Sequence, residues 1–585
     1  MKKIIFFFFL LIFNGSFVYA QPFCANDNLE NYIYKKNPLY NFQKSKAASE
    51  WQEYNRLMKT SKMIITGPDT SYEIPVVVHI VHTGGAIGSA FNPTNSEIID
   101  FIDFLNKAWE ATWPTFADVT TGGTKIPIKF VLAKRDPYCN ATNGIQRVNG
   151  SVLPGYSVNG VCPFGFEVGP SDLEMKSISV WPPADYYNIW LVNEIEGGGA
   201  NGYAPWPWYN EPSLIDGAVI DVKYSRKIGG DYSYTVAHEV GHSFGLYHTF
   251  QDGCDGSSSC LTVGDELCDT EPHSFSGAFE CPTGFTNSCT GTLYNGVEYN
   301  FMNYTNCPTR FTGDQRKRIL YTLRKYRSGL ITSLGANPPD ASFSAPVSAC
   351  KPAIINTGSI TNIGPCKVSF SNLNAFSLGY FMDAYTSYID RTCTQEIAMI
   401  NMGKTYNLSI STISAPQEVA AWIDYNNDGV FQSSERIYSH SGLFIDEVHS
   451  TSITIPSTGV ISNKILRMRI KSDIVPIADA CSDVSDGQTE DFSVLVLPST
   501  EVNILQADVE KFLVFPNPAN DKLYIQSEPD CLLTLFSVDG RKLWSGVNVG
   551  ELDLHNLNSG VYFLEARRNS DGIKIGVQKV VKSAE

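Results

Sequence analysis

The sequence lacks several features, and each absence excludes a class of protein. After the first 20 residues, no apolar run reaches the roughly 20 residues that a membrane-spanning helix needs, so no transmembrane segment is expected. Basic residues are in the minority: 44 Lys and Arg stand against 60 Asp and Glu, for a net charge of -16. This balance argues against nucleic acid and anionic membranes as partners. No CxxC pair and no solenoid repeat occurs, which disfavours a cysteine-rich zinc finger and a repeat protein.

The first 20 residues, MKKIIFFFFLLIFNGSFVYA, are typical of a signal peptide. They have a basic start, an apolar run from Ile4 to about Phe13, and a Val18-Tyr19-Ala20 end that suits signal peptidase. The sequence therefore predicts an exported protein, with a retained membrane anchor as the alternative.

Fourteen cysteines are consistent with an oxidising compartment. Six of them lie close together in the middle of the chain: Cys254, Cys260, Cys268, Cys281, Cys289 and Cys307. Disulfides are the expected pairing there, but the spacing alone leaves all fifteen connectivities open.

Changes in composition and hydrophobic pattern along the chain predict a multi-domain architecture. We expect a signal peptide at 1–20, a polar pro-segment at 21–70, a mixed domain at 71–335, a linker at 336–350, and two β domains at 351–497 and 510–585. The mixed domain opens with a β-branched strand, YEIPVVVHIVH, a helical pattern, SEIIDFIDFLNKAWEATW, and a second strand, KIPIKFVLAK, which indicate an α/β (α+β) fold. Short runs such as TYNLSIST and KLYIQS indicate two all-β sandwich domains after it.

The stretch HEVGHSFGLYH, residues 238–248, predicts a zinc site. On a helix, His238 and His242 lie four residues apart on one face and can bind the same ion. Gly245 can adopt the left-handed conformation that ends a helix, which lets His248 return as the third ligand. Glu239 is then placed to take a proton from a zinc-activated water. A purely structural zinc site with the same histidines is the alternative, but it has no use for Glu239.

These residues resemble the metzincin clan of metalloproteases, through HEVGHSFGLYH and through NFMNYT at 300–305, which matches the clan's Met-turn. The resemblance implies a metzincin catalytic domain, with Met302 as an apolar floor beneath the zinc. It also implies that Tyr304 helps to hold the oxyanion of the tetrahedral intermediate.

Within the clan the chain is similar to the pappalysin family, which includes ulilysin-type bacterial members, through VGDELCDTEP, NFMNY and RFTGDQRKRI. The resemblance covers about residues 72–335. It implies calcium between the third histidine and the Met-turn, with Asp265, Asp269 and Thr270 as candidate ligands. It also implies a pro-segment that blocks the zinc, for which Cys24 is the candidate thiolate, although Cys24 in a disulfide is the alternative.

The stretch DYNNDGVFQSSE, residues 424–435, has the spacing of an EF-hand-type calcium loop. Its candidate ligands are Asp424, Asn426, Asp428 and Glu435. The flanking residues are typical of strands, so an Asp/Asn-rich β-turn without an ion stays an alternative. Together with DGQTEDFSV, this region resembles the GEVED domain of secreted bacterial enzymes.

The last seventy-odd residues resemble the C-terminal sorting domain of type IX secretion, through FPNPANDKLYI, LFSVDGRKLWSG and LNSGVYFLEA. The resemblance implies passage through the periplasm, the type IX machinery as a partner, and a protein that is released or attached to the outer-membrane surface. An adhesive β-sandwich is the alternative.

Taken together, these features predict a secreted zinc-dependent endopeptidase that hydrolyses proteins or peptides by a metal-activated water, with Glu239 as the general base. The alternative is a calcium-stabilised surface adhesion protein with a structural zinc site. A toxin acting on a single host protein would use the same chemistry on a narrower substrate. The pocket for the side chain after the cleaved bond is expected around residues 300–315, but its lining cannot be read from the sequence.

Overall fold

The computed structural model describes most of the chain. The described residues are 24–37, 40–60, 71–112, 123–208, 214–228, 231–257, 259–275, 281–282, 284–340, 343–357, 362–413, 416–440, 448–498, 512–517, 519–527, 531–537, 541–569 and 574–583. The predicted signal peptide lies outside them.

Two helices form the region predicted as a pro-segment: α1 (Asn26–Lys36) and α2 (Tyr40–Thr60). Both pack onto the following domain. Leu29 and Ile33 of α1 are fully buried, and Trp51 of α2 is 2% exposed. The leader, whose composition is polar, therefore contributes apolar side chains to two cores of the next domain.

The described part of the next domain contains eight strands and six α-helices. In chain order these are β1 (Tyr72–His82), α3 (Asn95–Trp109), β2 (Ile128–Leu132), β3 (Ile145–Asn149), α4 (Tyr156–Asn159), α5 (Asp172–Ser177), β4 (Tyr187–Val192), β5 (Gly202–Tyr203), β6 (Ala218–Asp221), β7 (Lys227–Ile228), β8 (Asp231–Tyr232), α6 (Thr235–Ser243), α7 (Gly313–Tyr326) and α8 (Ser328–Thr332).

The main sheet has the order β2-β1-β4-β6-β5, and β3 also pairs with β1. All of its pairings are parallel except the antiparallel pair of β5 and β6, so β5 is an antiparallel edge strand. The β-branched run in β1 is buried on both faces, as a central parallel strand requires. Helices α3, α6 and α7 share one core with this sheet. The predicted α/β (α+β) architecture is confirmed.

The strands after α8 form two β domains. The first contains β9 (Pro365–Phe370), β10 (Leu373–Phe376), β11 (Tyr388–Asp390), β12 (Ala398–Asn401), β13 (Thr405–Thr412), β14 (Glu418–Ile423), β15 (Arg436–His440), β16 (Val448–Thr454), β17 (Ile465–Asp473) and β18 (Gln488–Leu497). The second contains β19 (Phe512–Phe515), β20 (Lys522–Ser527), β21 (Cys531–Ser537), β22 (Lys542–Val547), β23 (Glu551–Asp553), β24 (Gly560–Arg568) and β25 (Lys574–Lys582). In each domain two sheets enclose one apolar core, which confirms the two predicted β-sandwiches.

Five disulfides join cysteines of the described chain. The six clustered cysteines pair as Cys254–Cys289, Cys260–Cys268 and Cys281–Cys307, and the other two bridges are Cys350–Cys481 and Cys139–Cys393. The cluster is therefore a disulfide framework, as expected, and the last bridge ties the α/β domain to the first β domain. Within the described part of the chain, no helix has both the length and the apolar character needed to cross a membrane.

Candidate active site

Helix α6 carries the first two predicted zinc ligands, and every one of its residues is buried. His238 and His242 lie one turn apart on α6. After Ser243 the chain turns at Gly245, whose φ of +93° lies in the left-handed region. A Cβ at this glycine would lie 2.4 Å from Thr322 Oγ1, so space also demands a glycine here. This turn brings His248 back toward the helix.

The three imidazoles converge through their Nε2 atoms. His242 Nε2 lies 3.1 Å from the Nε2 atoms of both His238 and His248, and the remaining pair lies 3.2 Å apart. The opposite ring nitrogens are engaged elsewhere: His238 Nδ1 contacts the Phe301 carbonyl at 2.6 Å, and His242 Nδ1 contacts the Leu246 carbonyl at 2.8 Å. Because each Nδ1 faces an acceptor it must carry the proton, so the Nε2 lone pairs point at one another.

This donor set fits zinc. Nitrogens bound at the usual zinc distance in a tetrahedral site lie about 3.3 Å apart, close to the separations seen here. Burial, followed by the nearby His248, lowers the pKa of His238 to about 3, which keeps its ring neutral as a metal ligand must be. Among the described residues, one cluster of His, Cys, Asp or Glu side chains has the geometry to bind a metal ion. It consists of these three histidines and Cys24.

Glu239 is fully buried beside this cluster. Its Oε2 accepts the Cys24 thiol at 3.3 Å, and its Oε1 has no hydrogen-bond partner among the described residues. Burial raises the pKa of Glu239 to about 8. The close approach of Glu239 depends on Gly202 in β5, where a Cβ would lie 2.7 Å from Glu239 Cγ. Gly202 could not be identified from the sequence, because its role depends on the approach of Glu239.

Met302 lies directly beneath α6 and is fully buried. A Cβ on Gly241, within the HEVGH stretch, would lie 2.5 Å from Met302 Sδ. Gly241 therefore lets the methionine pack against the helix backbone between the two ligand histidines. The packing role of Gly241 was not predicted, because it depends on a residue about sixty positions away.

Tyr304 closes one side of the cleft. Its ring centroid lies 4.8 Å from that of His248 and 5.6 Å from that of His238. Its hydroxyl donates to the Cys24 carbonyl oxygen at 3.0 Å. The phenol therefore contacts a peptide carbonyl at the start of the leader.

The start of the leader meets the edge strand β5 at an isolated bridge, immediately before α1 begins. Cys24 bridges Gly202 in parallel, and the Ala25 N–H donates to the Gly202 carbonyl at 2.9 Å. The side-chain amide of Asn26 both donates to and accepts from the backbone of Ala204, at 2.9 Å each, as a peptide unit would. The next residue, Asp27, contacts the third histidine: its Oδ1 lies 3.2 Å from His248 Nδ1. The sequence did not point to Asn26 or Asp27.

The first set of predicted calcium ligands lies beyond the third histidine. Asp265 is buried, which raises its pKa to about 7, and it accepts the Thr270 hydroxyl at 2.9 and 2.7 Å. Asp269 points elsewhere: it accepts the Thr312 hydroxyl and the Asp314 N–H, both at 2.7 Å, at the start of α7. The structure thus brings two of these three residues together, and calcium binding here stays a prediction.

The second calcium candidate is the 424–435 loop, which connects strands β14 and β15. Its acidic oxygens accept backbone N–H groups: Asp424 from Asp428 and Gly429, and Glu435 from Tyr425 and Gln432. Asp428 contacts the Asn426 amide at 3.0 Å. The carboxylates thus bind backbone N–H groups within the loop, and calcium at this loop also stays a prediction.

Three family models match successive parts of the chain. Residues 172–324 match the model described as pregnancy-associated plasma protein-A, residues 418–495 match the GEVED domain, and residues 513–583 match the secretion system C-terminal sorting domain. The last match bears out the predicted type IX export.

Similar proteins include secreted fungal proteases. The chain is 32% identical over 189 residues to an extracellular metalloprotease of Sordaria macrospora, which is 30% of this chain and 59% of that protein. It is 35% identical over 150 residues to another from Colletotrichum graminicola, covering 24% of this chain and 50% of that protein. The chain thus spans less than two thirds of these relatives.

A solved structure of mature mirolysin from Tannerella forsythia, in complex with a cleaved peptide, is 26% identical and aligns with 47% of this chain and 100% of that one, with a TM-score of 0.35. The family matches, in the order in which they occur along the sequence, establish the organisation of the chain. It carries a peptidase domain of the pregnancy-associated plasma protein-A family, then a GEVED domain and a secretion system C-terminal sorting domain.

Proposed function

We propose that this protein is a secreted zinc endopeptidase of pappalysin type that is made as a latent precursor. The observation that carries the proposal is the convergence of three buried imidazoles beside a buried carboxylate, with the start of the leader lying against them. Zinc held by His238, His242 and His248 would polarise the scissile carbonyl and lower the pKa of a water molecule.

Glu239 acts as the proton carrier. Its Oε1 is buried without a partner among the described residues, so it is available to hold a water molecule once Cys24 has left. The carboxylate takes the proton of that water and delivers it to the leaving amine, which needs no covalent intermediate. Tyr304 donates its hydroxyl to the carbonyl oxygen of the peptide in the cleft, and this bond strengthens as negative charge develops there.

Latency follows from the position of Cys24. Its sulfur and the nitrogens of the three histidines all lie within 4.8 Å of one another, so the sulfur can serve as the fourth ligand of the zinc. The same residue contacts Glu239 and Tyr304. Cys24 thus blocks the fourth ligand position of the zinc and contacts both the base and the oxyanion donor, so its side chain must leave the site before a substrate can be hydrolysed.

Zinc content and casein cleavage of the full chain without its signal peptide test the enzyme. After removal of the leader we expect stoichiometric zinc and cleavage, and loss of cleavage with a chelator. Glu239→Gln should keep zinc and lose activity by a factor on the order of a thousand, because Glu239 has the one carboxylate among the described residues that line the cavity beside the metal position. Substantial residual cleavage by this variant would contradict the role of Glu239.

A Cys24→Ala precursor tests latency separately. The variant loses the sulfur ligand but keeps the contacts of α1 and α2. We expect the uncleaved Cys24→Ala precursor to hydrolyse a short peptide that the uncleaved wild-type precursor does not. Equal inertness of both precursors would contradict the thiolate block.

The alternative function is an adhesion protein with a structural zinc site, and no contact described above favours it over the enzyme. A structural site is closed by its ligands and has no use for the unpartnered Oε1 of Glu239.

A further inference from the structure

A cavity opens beside Glu239 at the base of the cleft. Its volume is about 50 Å³. His238, Glu239 and Cys24 line the side nearest the metal position. Much of the remaining lining, here called the wall, comes from six residues at the start of α6 and around the Met-turn: Ser233, Thr235, Phe301, Asn303, Thr305 and Pro308.

The position of the cavity identifies which substrate residue it faces. Glu239 delivers a proton to the leaving amine, so the nitrogen of the leaving residue lies next to this carboxylate during the reaction. The side chain carried by that same residue is therefore the one nearest to the cavity. This assignment rests on the proposed function, because it uses the role of Glu239 as the proton carrier.

The wall carries no charge. All six of its residues are neutral, and Phe301 and Pro308 are buried apolar surfaces. Among the described residues that line the cavity, Glu239 has the one carboxylate, and it is committed to the reaction. A lysine or arginine side chain entering the cavity would therefore lose water without gaining an ionic partner.

The polar atoms of the wall already have partners. The Ser233 and Thr235 hydroxyls lie 2.7 Å apart. The Asn303 amide donates to the Val297 carbonyl at 3.0 Å and accepts from the Tyr304 N–H at 2.8 Å. Thr305 donates its hydroxyl to the Glu298 carbonyl. Few acceptors remain for a charged or strongly polar substrate side chain, and the surface that it meets is largely apolar.

We propose that this cavity selects an uncharged, apolar side chain on the residue after the cleaved bond and rejects arginine, lysine, aspartate and glutamate there. Cleavage should therefore occur before residues such as leucine, isoleucine, valine or methionine. Replacement of these by arginine should lower kcat/KM on the order of tenfold to a hundredfold, since the site offers no compensating charge.

Ser233 offers a way to reverse this selectivity. Its hydroxyl accepts the Thr235 N–H at 3.3 Å at the start of α6. Ser233→Asp keeps an acceptor for that N–H and places a negative charge near the amino end of a helix, where it is tolerated. It also adds a carboxylate to the cavity wall. Ser233→Asn has nearly the same shape without the charge and is the matched control.

The experiment maps the cleavage sites of the full chain, activated by limited proteolysis, in a library of peptides derived from denatured proteins. We expect apolar residues after the cut for the wild type and for Ser233→Asn. For Ser233→Asp we expect a rise on the order of tenfold in cuts before arginine and lysine.

Two outcomes overturn the inference alone: wild-type cleavage before arginine or lysine, and a Ser233→Asp variant that still rejects both. A chain that holds stoichiometric zinc but cuts no peptide contradicts the proposed function, and the inference with it.

Discussion

At the scale of single residues, the hydroxyl of Tyr304 is expected to contribute to catalysis more than to substrate binding. It donates to a carbonyl oxygen of the leader across the cleft. In the reaction that bond gains most when the carbonyl becomes an oxyanion, so Tyr304→Phe should lower kcat on the order of a hundredfold with little change in KM. Steady-state kinetics of the activated chain on a fluorogenic peptide measure both constants. Tyr294→Phe, the same substitution outside the cleft, should have no effect. An unchanged kcat for Tyr304→Phe would remove the phenol from the mechanism.

A second residue-scale prediction concerns His79 in β1. His79 is fully buried, contacts Asn188 Oδ1 at 2.8 Å, and has its pKa lowered to about 4 by burial. Below about pH 6.5 the imidazole of His79 is protonated in the unfolded chain but stays neutral in the folded chain. The free energy of unfolding therefore falls as the pH drops from 6.5 toward 4. The full difference corresponds to about 3 kcal/mol.

Denaturant unfolding at pH 7 and pH 4.5 measures this effect. His79→Gln removes the titrating group, so the variant should lose less stability than the wild type over the same pH interval. The comparison between the two proteins isolates His79 from the other groups that titrate there. Equal losses in both proteins would show that His79 does not contribute.

At the scale of elements, α2 is the part of the leader that holds it in place away from the metal. The Trp51 indole donates to the Glu266 carbonyl at 3.2 Å, and its ring stacks on Tyr54 and contacts Tyr321 of α7. The Arg318 guanidinium lies 5.4 Å from the same ring and pairs with Glu266 at 2.8 Å. The leader is thus held through Cys24 at the metal position, through the buried Leu29 and Ile33 of α1, and through Trp51 on α7.

Trp51→Ala should therefore weaken the docking of the leader on the peptidase domain without changing a residue of the cleft. Loss of a buried tryptophan costs about 3 kcal/mol or more, which corresponds to at least a hundredfold weaker docking. We expect faster removal of the leader by limited trypsin digestion and a measurable leak of peptidase activity from the uncleaved precursor. Phe42→Ala, which truncates a side chain that is 67% exposed on the same helix, is the control. Equal digestion rates for both variants would contradict the anchor.

The elements themselves were largely predictable from the sequence. The buried run that became β1 and the amphipathic pattern that became α3 carry their periodicity locally, and the ligand spacing places His238 and His242 on one helix face. What the sequence could not show depends on distant partners. Gly202 matters because Glu239 approaches it, and Gly241 matters because Met302 lies beneath it. The burial of Trp51 could not be predicted, because the leader that contains it has a polar composition.

At the scale of the whole molecule, the peptidase domain and the GEVED domain share a buried ionic junction. Arg391 of the first β domain is fully buried and contacts Asp185 of the peptidase domain at 2.6 Å. It also contacts two carboxylates of its own domain, Asp383 at 3.4 Å and Glu490 at 3.2 Å. The Cys139–Cys393 disulfide crosses the same boundary. Asp185 and Arg391 are 206 residues apart, so no local pattern predicted their pairing.

This junction predicts that the two domains unfold together. Arg391→Met would leave three buried carboxylates without their cation, which should cost about 3 to 5 kcal/mol, because removing one partner strands the others. In calorimetry of the full chain we expect one shared transition for both domains in the wild type, and for the variant a lower midpoint with separation into two transitions. Lys404→Met removes an exposed charge from the same β domain and should leave the trace unchanged. Cleavage of a short peptide should persist at temperatures below the variant's first transition, since the junction touches none of the cleft residues. A variant that still unfolds in one step at the wild-type midpoint would show that the disulfide alone couples the domains.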